Sequence, residues 1–296
     1  MIAEISALSA ALCWAIGGLI AVSVVRRIGA VNYNHLRMLL VGGLLCILTW
    51  PLGGWKTLDT TMLPILLISG LIGIFIGDTA LFSSMQRLGP RRSGVIFAAN
   101  APFTAVMGSL FYQEQLSSRQ LVGGLLIITG VVVTILLNRP RADTHAMEKI
   151  QGSLSAGVLF GLLSAFGQAA GAIIAKPVME AGADPIAASA VRMSAAAAAF
   201  SLMYMVRRQP ILPPLLRRWD VLWPTLFSGM IGMGLGMSLL LFALAHGETG
   251  IVATLSSTAP VLILPLLWLG TRQRPAAAAW WGGIITVLGT GILLLN

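Results

Sequence analysis

Charge is scarce in this chain. Only 10% of its 296 residues are Asp, Glu, Lys or Arg, against about 25% in an ordinary soluble domain. A water-facing globule of this size would lack the polar surface to solvate itself. Cysteine is scarcer still. Cys13 and Cys46 both lie in apolar runs, which excludes a disulfide framework and makes them small packing residues. His35, His145 and His246 have no metal-ligand spacing. The sequence contains no P-loop, no H-E-x-x-H and no G-x-S-x-G. No enzymatic constellation, cofactor or metal site is therefore expected. The net charge is +9, but no soluble stretch is long enough to carry a nucleic-acid-binding face, so the excess reads as loop charge facing anionic lipid.

Long hydrophobic runs are abundant instead. Residues of the apolar class make up 57% of the chain and fall in ten runs, at 5–25, 34–52, 62–86, 93–112, 119–137, 153–175, 184–206, 221–245, 250–269 and 276–295. Each approaches the ~20 residues that cross about 30 Å of hydrocarbon as a helix. Helices satisfy their own backbone in lipid, whereas the alternating ten-residue segments of a membrane barrel are missing. The first run carries Glu4 and no basic leader, so it reads as a full span and not as a cleaved signal peptide. The expected fold is an all-α membrane protein of ten transmembrane helices.

The chain repeats itself. Ser69, Gly70, Ile72, Gly73, Gly77 and Leu81 match Ser228, Gly229, Ile231, Gly232, Gly236 and Leu240 at one constant spacing. Ala101-Pro102 matches Ala259-Pro260, and Gly123-Gly124 with Gly130 matches Gly282-Gly283 with Gly289. Arg37 corresponds to Arg192, and Leu8-Ser9-Ala10 to Leu154-Ser155-Ala156. The halves divide at 1–149 and 150–296. Five spans in each half force the second to enter the membrane from the opposite side, giving two inverted five-helix repeats with a substrate site between them near the midplane.

Sidedness follows from Lys and Arg. Arg26, Arg27, Arg87, Arg91, Arg92, Arg139, Arg141, Lys149, Arg207, Arg208, Arg217, Arg218, Arg272 and Arg274 fall in one set of loops, and only Lys56, Arg119 and Lys176 in the other. The first set is expected to be cytoplasmic, with both termini outside, in a multi-pass protein of the cell inner (plasma) membrane.

These features resemble the drug/metabolite transporter superfamily, specifically its EamA-type members. The resemblance covers essentially the whole chain and is carried by Trp14 with Gly17, by Arg37 and Arg192, by the two Ala-Pro pairs, and by Tyr112-Gln113-Glu114-Gln115-Leu116-Ser117, which is similar to the family's G-E-x-L-S signature. The second copy of that signature reads Thr271-Arg272-Gln273 and has lost its acid. The resemblance implies a secondary transporter, an exporter of small metabolites such as amino acids, working by alternating access and driven by a gradient, with proton coupling as one option. A lipid-linked or drug-like substrate is an alternative, and a non-transporting sensor or assembly subunit another. Small-molecule substrate and membrane lipid are the expected partners; the sequence leaves the oligomeric state open.

Asp78 is the deepest carboxylate, near the middle of the third span, where a charge is costly unless it faces a cavity or a partner. Its repeat equivalent is Met237. Asn100 lies at a similar depth and is the expected hydrogen-bonding neighbour, with Arg37 the competing partner. Trp14, Gln168, Ser256, Ser257 and Thr258 are candidate cavity residues, although the hydroxyls can instead bond back to their own helices. Arg37 and Arg192 read as gates or as holders of a substrate carboxylate, unless they snorkel to the interface. Pro102 and Pro260 are hinge candidates, because proline removes a helical hydrogen bond.

Overall fold

The computed structural model describes residues 1–112, 117–137, 150–212, 214–256, 258–271 and 277–294. The segments between them, which hold Glu114, Arg139, Arg141, Lys149, Ser257, Arg272 and Arg274, lie outside the described residues. The described chain is helical, without strands: α1 Ile2–Ile28, α2 Ala30–Thr49, α3 Met62–Leu88, α4 Pro90–Tyr112, α5 Ser118–Leu137, α6 Leu154–Glu180, α7 Pro185–Val206, α8 Trp219–His246, α9 Thr249–Ser256, α10 Ala259–Thr271 and α11 Ala277–Leu294. Seven of these, α1–α4 and α6–α8, are long and apolar enough to cross a membrane among the described residues. Shorter apolar stretches occur at Leu121–Gly130 and Trp280–Gly289.

Links between helices are brief. A single glycine joins α1 to α2 and another joins α3 to α4. Gly29 (φ 84°) and Gly89 (φ 83°) adopt a positive φ that side chains rarely tolerate. Asp184 caps α7 by accepting from the Ile186 and Ala187 amides at 3.0 and 2.8 Å, with Pro185 in the first turn.

Small residues decide the packing. In α1, Ala3, Ala7, Ala10, Ala11, Ala15, Gly17 and Ala21 are buried along one face, while Ile5, Leu8 and Leu12 remain exposed on the other. Hydrocarbon is as apolar as leucine, so helix association in lipid depends on close backbone approach. The exposed leucine face suits lipid, and the alanine face suits a neighbouring helix. The first helix of each half reaches across: α1 packs on α8, α9 and α10, and α6 packs on α3 and α4 as well as α8.

Contacts between loops pair the two halves at several points. At one end Arg27 Nη2 donates to Asp220 Oδ2 at 2.5 Å, and the Gln151 amide donates to Arg87 O at 2.8 Å. At the other the Asp184 amide donates to Thr57 Oγ1 at 2.8 Å, and Ala3 touches the Gly247 backbone region. The Arg27–Asp220 pair is half-exposed, and exposed pairs contribute little. Asp220→Asn is therefore expected to leave the melting temperature of the purified protein within error of wild type.

Proline acts differently from the in-helix kinks expected. In α4 the regular pattern stops at Ala98–Ala99 and a new segment begins at Asn100; Pro102 has no amide hydrogen to donate to Ala98. Pro260 likewise sits in the first turn of α10, a position proline favours. Pro102 thus follows an irregular turn within α4, and Pro260 lies at the start of α10.

Candidate functional site

Between the halves lies a cleft of about 690 Å³, its mouth included, lined by α1, α2, α3, α4, α6, α8 and α10. Its walls include Gly18, Tyr33, Met85, Pro90 and Gly94. These belong to the helix halves nearest the arginine-rich loops, so the cleft faces that end. A smaller cavity of about 220 Å³ lies farther along the bundle, lined by Asn100, Thr104, Gln168, Ala172, Leu240, Leu244, Ala253 and Ser256. Gln168 belongs to both linings and stands between them.

Asp78 and Arg37 form the polar part of the cleft. Arg37 Nη2 donates to Asp78 Oδ2 at 2.6 Å and to Asn34 Oδ1 at 2.7 Å. Arg37 is 5% exposed and Asp78 7%, so neither is solvated and neither snorkels. The guanidinium also lies over the Phe82 ring, 4.5 Å from its centroid, and 5.6 Å from that of Tyr33. A desolvated cation held by a carboxylate, an amide oxygen and an aromatic face is well compensated. Asn34 is fixed in turn, its Nδ2 donating to Ile74 O at 3.2 Å and to Thr79 Oγ1 at 3.0 Å.

Local backbone explains how Asp78 is aimed. Leu71–Asp78 is wound as a π-helix, and so is Met230–Met237 in α8. These two stretches are the repeat-related glycine-rich runs, and they end on Asp78 and Met237. Wider turns of this kind are rare and concentrate at functional sites. The carbonyl of Ile74, inside the first stretch, is the one Asn34 captures.

The expected Asp78–Asn100 bond does not form. Asp78 bonds Arg37, while Asn100 lines the smaller cavity with Thr104, whose hydroxyl donates to Asn100 O at 2.8 Å. Equal depth fixed the height of the two residues along the bundle and said nothing of the direction each helix turns them. Trp14 lines the cleft, its Nε1 donating to Gly232 O at 2.9 Å and its ring meeting Phe97 edge-on. Ser256 lines the smaller cavity but its hydroxyl bonds back to Ala253 O at 3.0 Å, and Thr258 bonds back to Leu255 O at 2.7 Å. Arg192 is fully buried and lines neither space; its Nη1 meets Met237 Sδ at 3.1 Å.

Tyr33, Asn34 and Phe82 escaped sequence reasoning. Asn34 lies three residues before Arg37 on the same helix, a spacing that puts both on one face. Tyr33, whose hydroxyl meets Ser228 Oγ at 2.8 Å, gave no comparable signal.

Contacts across the halves are reciprocal. Gly70 abuts the Arg192 backbone and Gly229 abuts the Arg37 side chain. Gly73 packs on Gly171, and Gly232 on Gly17; Gly130 packs on Gly282, and Gly289 on Gly123.

No curated protein sequence matches the chain. A solved crystal structure shares its fold, with 18% sequence identity, a TM-score of 0.73, and coverage of 98% of this chain and 95% of the other. The model of the EamA-like transporter family matches twice, at residues 1–136 and 155–295, one match for each half. The chain belongs to the EamA-like transporter family and is a multi-pass membrane transporter.

Proposed function

We propose that this protein is a secondary transporter that exports small metabolites, amino acids and related compounds among them, by alternating access. In this reading it spans the inner membrane with ten helices in two inverted five-helix repeats, 1–149 and 150–296. The helices α9 and α10 together make the ninth span, and α5 and α11 are the fifth and tenth. The observation that carries the proposal is the buried Arg37–Asp78 pair in a cleft between the halves. A site at the repeat interface, with space on both sides of Gln168, suits a binding position that is opened alternately to either face.

Reciprocal glycine contacts support the pseudo-twofold. When one surface of each half meets the other half's equivalent surface, residue i touches j′ and j touches i′. The pairs Gly70·Arg192 with Gly229·Arg37, and Gly130·Gly282 with Gly123·Gly289, follow that rule. The same contacts equate Gly17 with Gly171, and hence Trp14 with Gln168, a register different from the Leu8–Leu154 match.

Proton coupling through Asp78 is part of the proposal, since its carboxylate would gain or lose water as the cleft opens and closes. A second reading, a drug-like or lipid-linked substrate, draws on the lining of Leu81, Phe82, Met85, Phe97, Met233 and Ile263. Purified protein in proteoliposomes, assayed with labelled amino acids, organic acids, amines and hydrophobic cations, separates these readings. Uptake of one class supports transport of that class, and no uptake of any solute leaves a sensor or assembly subunit.

With the arginine-rich end cytoplasmic, the cleft faces the cytoplasm and both termini lie outside. Reporter fusions at Met1 and Asn296 are expected to be active only in the extracytoplasmic form. A cytoplasmic signal at the C-terminus would reverse the orientation.

A further inference from the structure

We propose that Arg192 is a second, latent carboxylate site covered by Met237, and that it takes the acid group of a substrate carrying one net negative charge on an apolar body. This rests on the transporter reading and narrows its substrate class.

The two halves carry equivalent arginines but only one acid. Arg37 has Asp78. Arg192, its equivalent, has Met237 where the repeat would put that carboxylate. Arg192 is fully buried, yet among the described residues it makes no ion pair. Its Nη1 meets only the weakly accepting sulfur of Met237, and Nε and Nη2 have no hydrogen-bond partner. The guanidinium is wedged between glycines. A Cβ at Gly73 would lie 3.0 Å from Nη2, and one at Gly171 3.2 Å from it. No partner can come from those faces.

Charge balance then has one solution that the protein does not supply itself. Asp78 is the acidic side chain that lines the cleft, and it is already bonded to Arg37. If Asp78 changed partners, Arg37 would be left in the same condition. Around Asp78 and Met237, the guanidinium groups of Arg37 and Arg192 and one carboxylate leave a single positive charge, and a buried charge without a partner is costly. One anion from outside neutralises it.

Access is through Met237. This side chain lines the cleft and touches Arg192, so it separates the two. Methionine is unbranched and turns aside readily. A rotation of its side chain would bring Arg192 to the cleft, within the same space as Asp78 and Arg37. The remaining wall is mostly apolar, with Leu81, Phe82, Phe97 and Ile263, which favours an organic acid over an inorganic anion. With Met237 turned aside, Nη1 is the nitrogen that reaches the cleft and donates to the carboxylate in a charge-assisted hydrogen bond.

The test is binding to the full-length protein in nanodiscs, with benzoate and hexanoate as probes and their amides, their amines and sodium chloride as controls. Both acids are expected to raise the melting temperature, and the controls are not. Arg192→Gln is expected to weaken acid binding at least thirtyfold, roughly the loss seen when one member of a buried charge pair is removed, and Arg192→Lys to retain part of it. Met237→Asp places an oxygen about where Sδ now sits. It should pair with Arg192 internally, raise the melting temperature of the unliganded protein and abolish acid binding, which keeps the proposal testable if Arg192→Gln fails to fold. Amides that bind as well as the acids, or a Met237→Asp protein that still binds them, would overturn it. If amines or amides are transported in proteoliposomes while the acids do not bind, this inference fails and the transporter reading stands. If no solute is transported, the transporter reading fails whatever binds.

Discussion

Asp78→Ala is expected to destabilise the protein by roughly 3–5 kcal/mol, the usual cost of leaving one member of a buried ion pair uncompensated. Arg37 would keep Asn34 and the Phe82 face but lose its carboxylate at 2.6 Å. The paired substitution Arg37→Met with Asp78→Ala should recover most of that loss, because an apolar pair needs no desolvation. A double-mutant cycle of chemical denaturation in detergent measures the difference. Additive single effects would mean that the pair contributes little and that each residue acts through other contacts.

Gly70→Val is also expected to be damaging. A Cβ at Gly70 would collide with Arg192 O and lie 2.7 Å from its Cα, both backbone atoms that cannot turn away. The α3–α7 crossing would have to open, and overpacking of this kind typically costs about 1–3 kcal/mol, more when backbone must move. Arg192 would be displaced as well. Loss of the folded peak in size-exclusion chromatography, or a large fall in melting temperature, is the expected result. Gly43→Val is the control, since a Cβ there meets nothing within 4 Å, and it should behave as wild type.

Much of the fold is legible because membranes impose few rules and strict ones. Run length and the lack of charge fix helices, and repeated glycine and arginine positions point to the halves. The α9–α10 break was read through because Ser256, Ser257 and Thr258 interrupt an otherwise apolar run only briefly before Pro260. The π-helical turns at Leu71–Asp78 and Met230–Met237 have no sequence signature beyond glycine richness, and the same glycines serve helix packing. The cleft is legible in some of its members, not in Tyr33 or Phe82, and not in its pairings. Asp78, Arg37, Trp14 and Gln168 all reach the cleft, as composition and depth suggest. Which of them touch depends on rotation about each helix axis, and one residue of rotation is about 100°. That angle is decided by contacts such as Gly70 on Arg192, which connect helices distant in sequence.

Transport by the Asp78→Asn protein tests the central claim most directly. The amide keeps the shape, removes the charge and cannot titrate. Wild-type and variant protein, each inserted to the same level in proteoliposomes, are compared for solute counterflow and for uptake driven by a pH gradient. If the Arg37–Asp78 cleft is the coupled substrate site, the wild type concentrates solute in response to the gradient. The variant should then either retain binding and counterflow while losing the response to pH, or lose binding altogether. Wild-type counterflow together with wild-type pH dependence in the variant would contradict the account and leave Asp78 a packing residue.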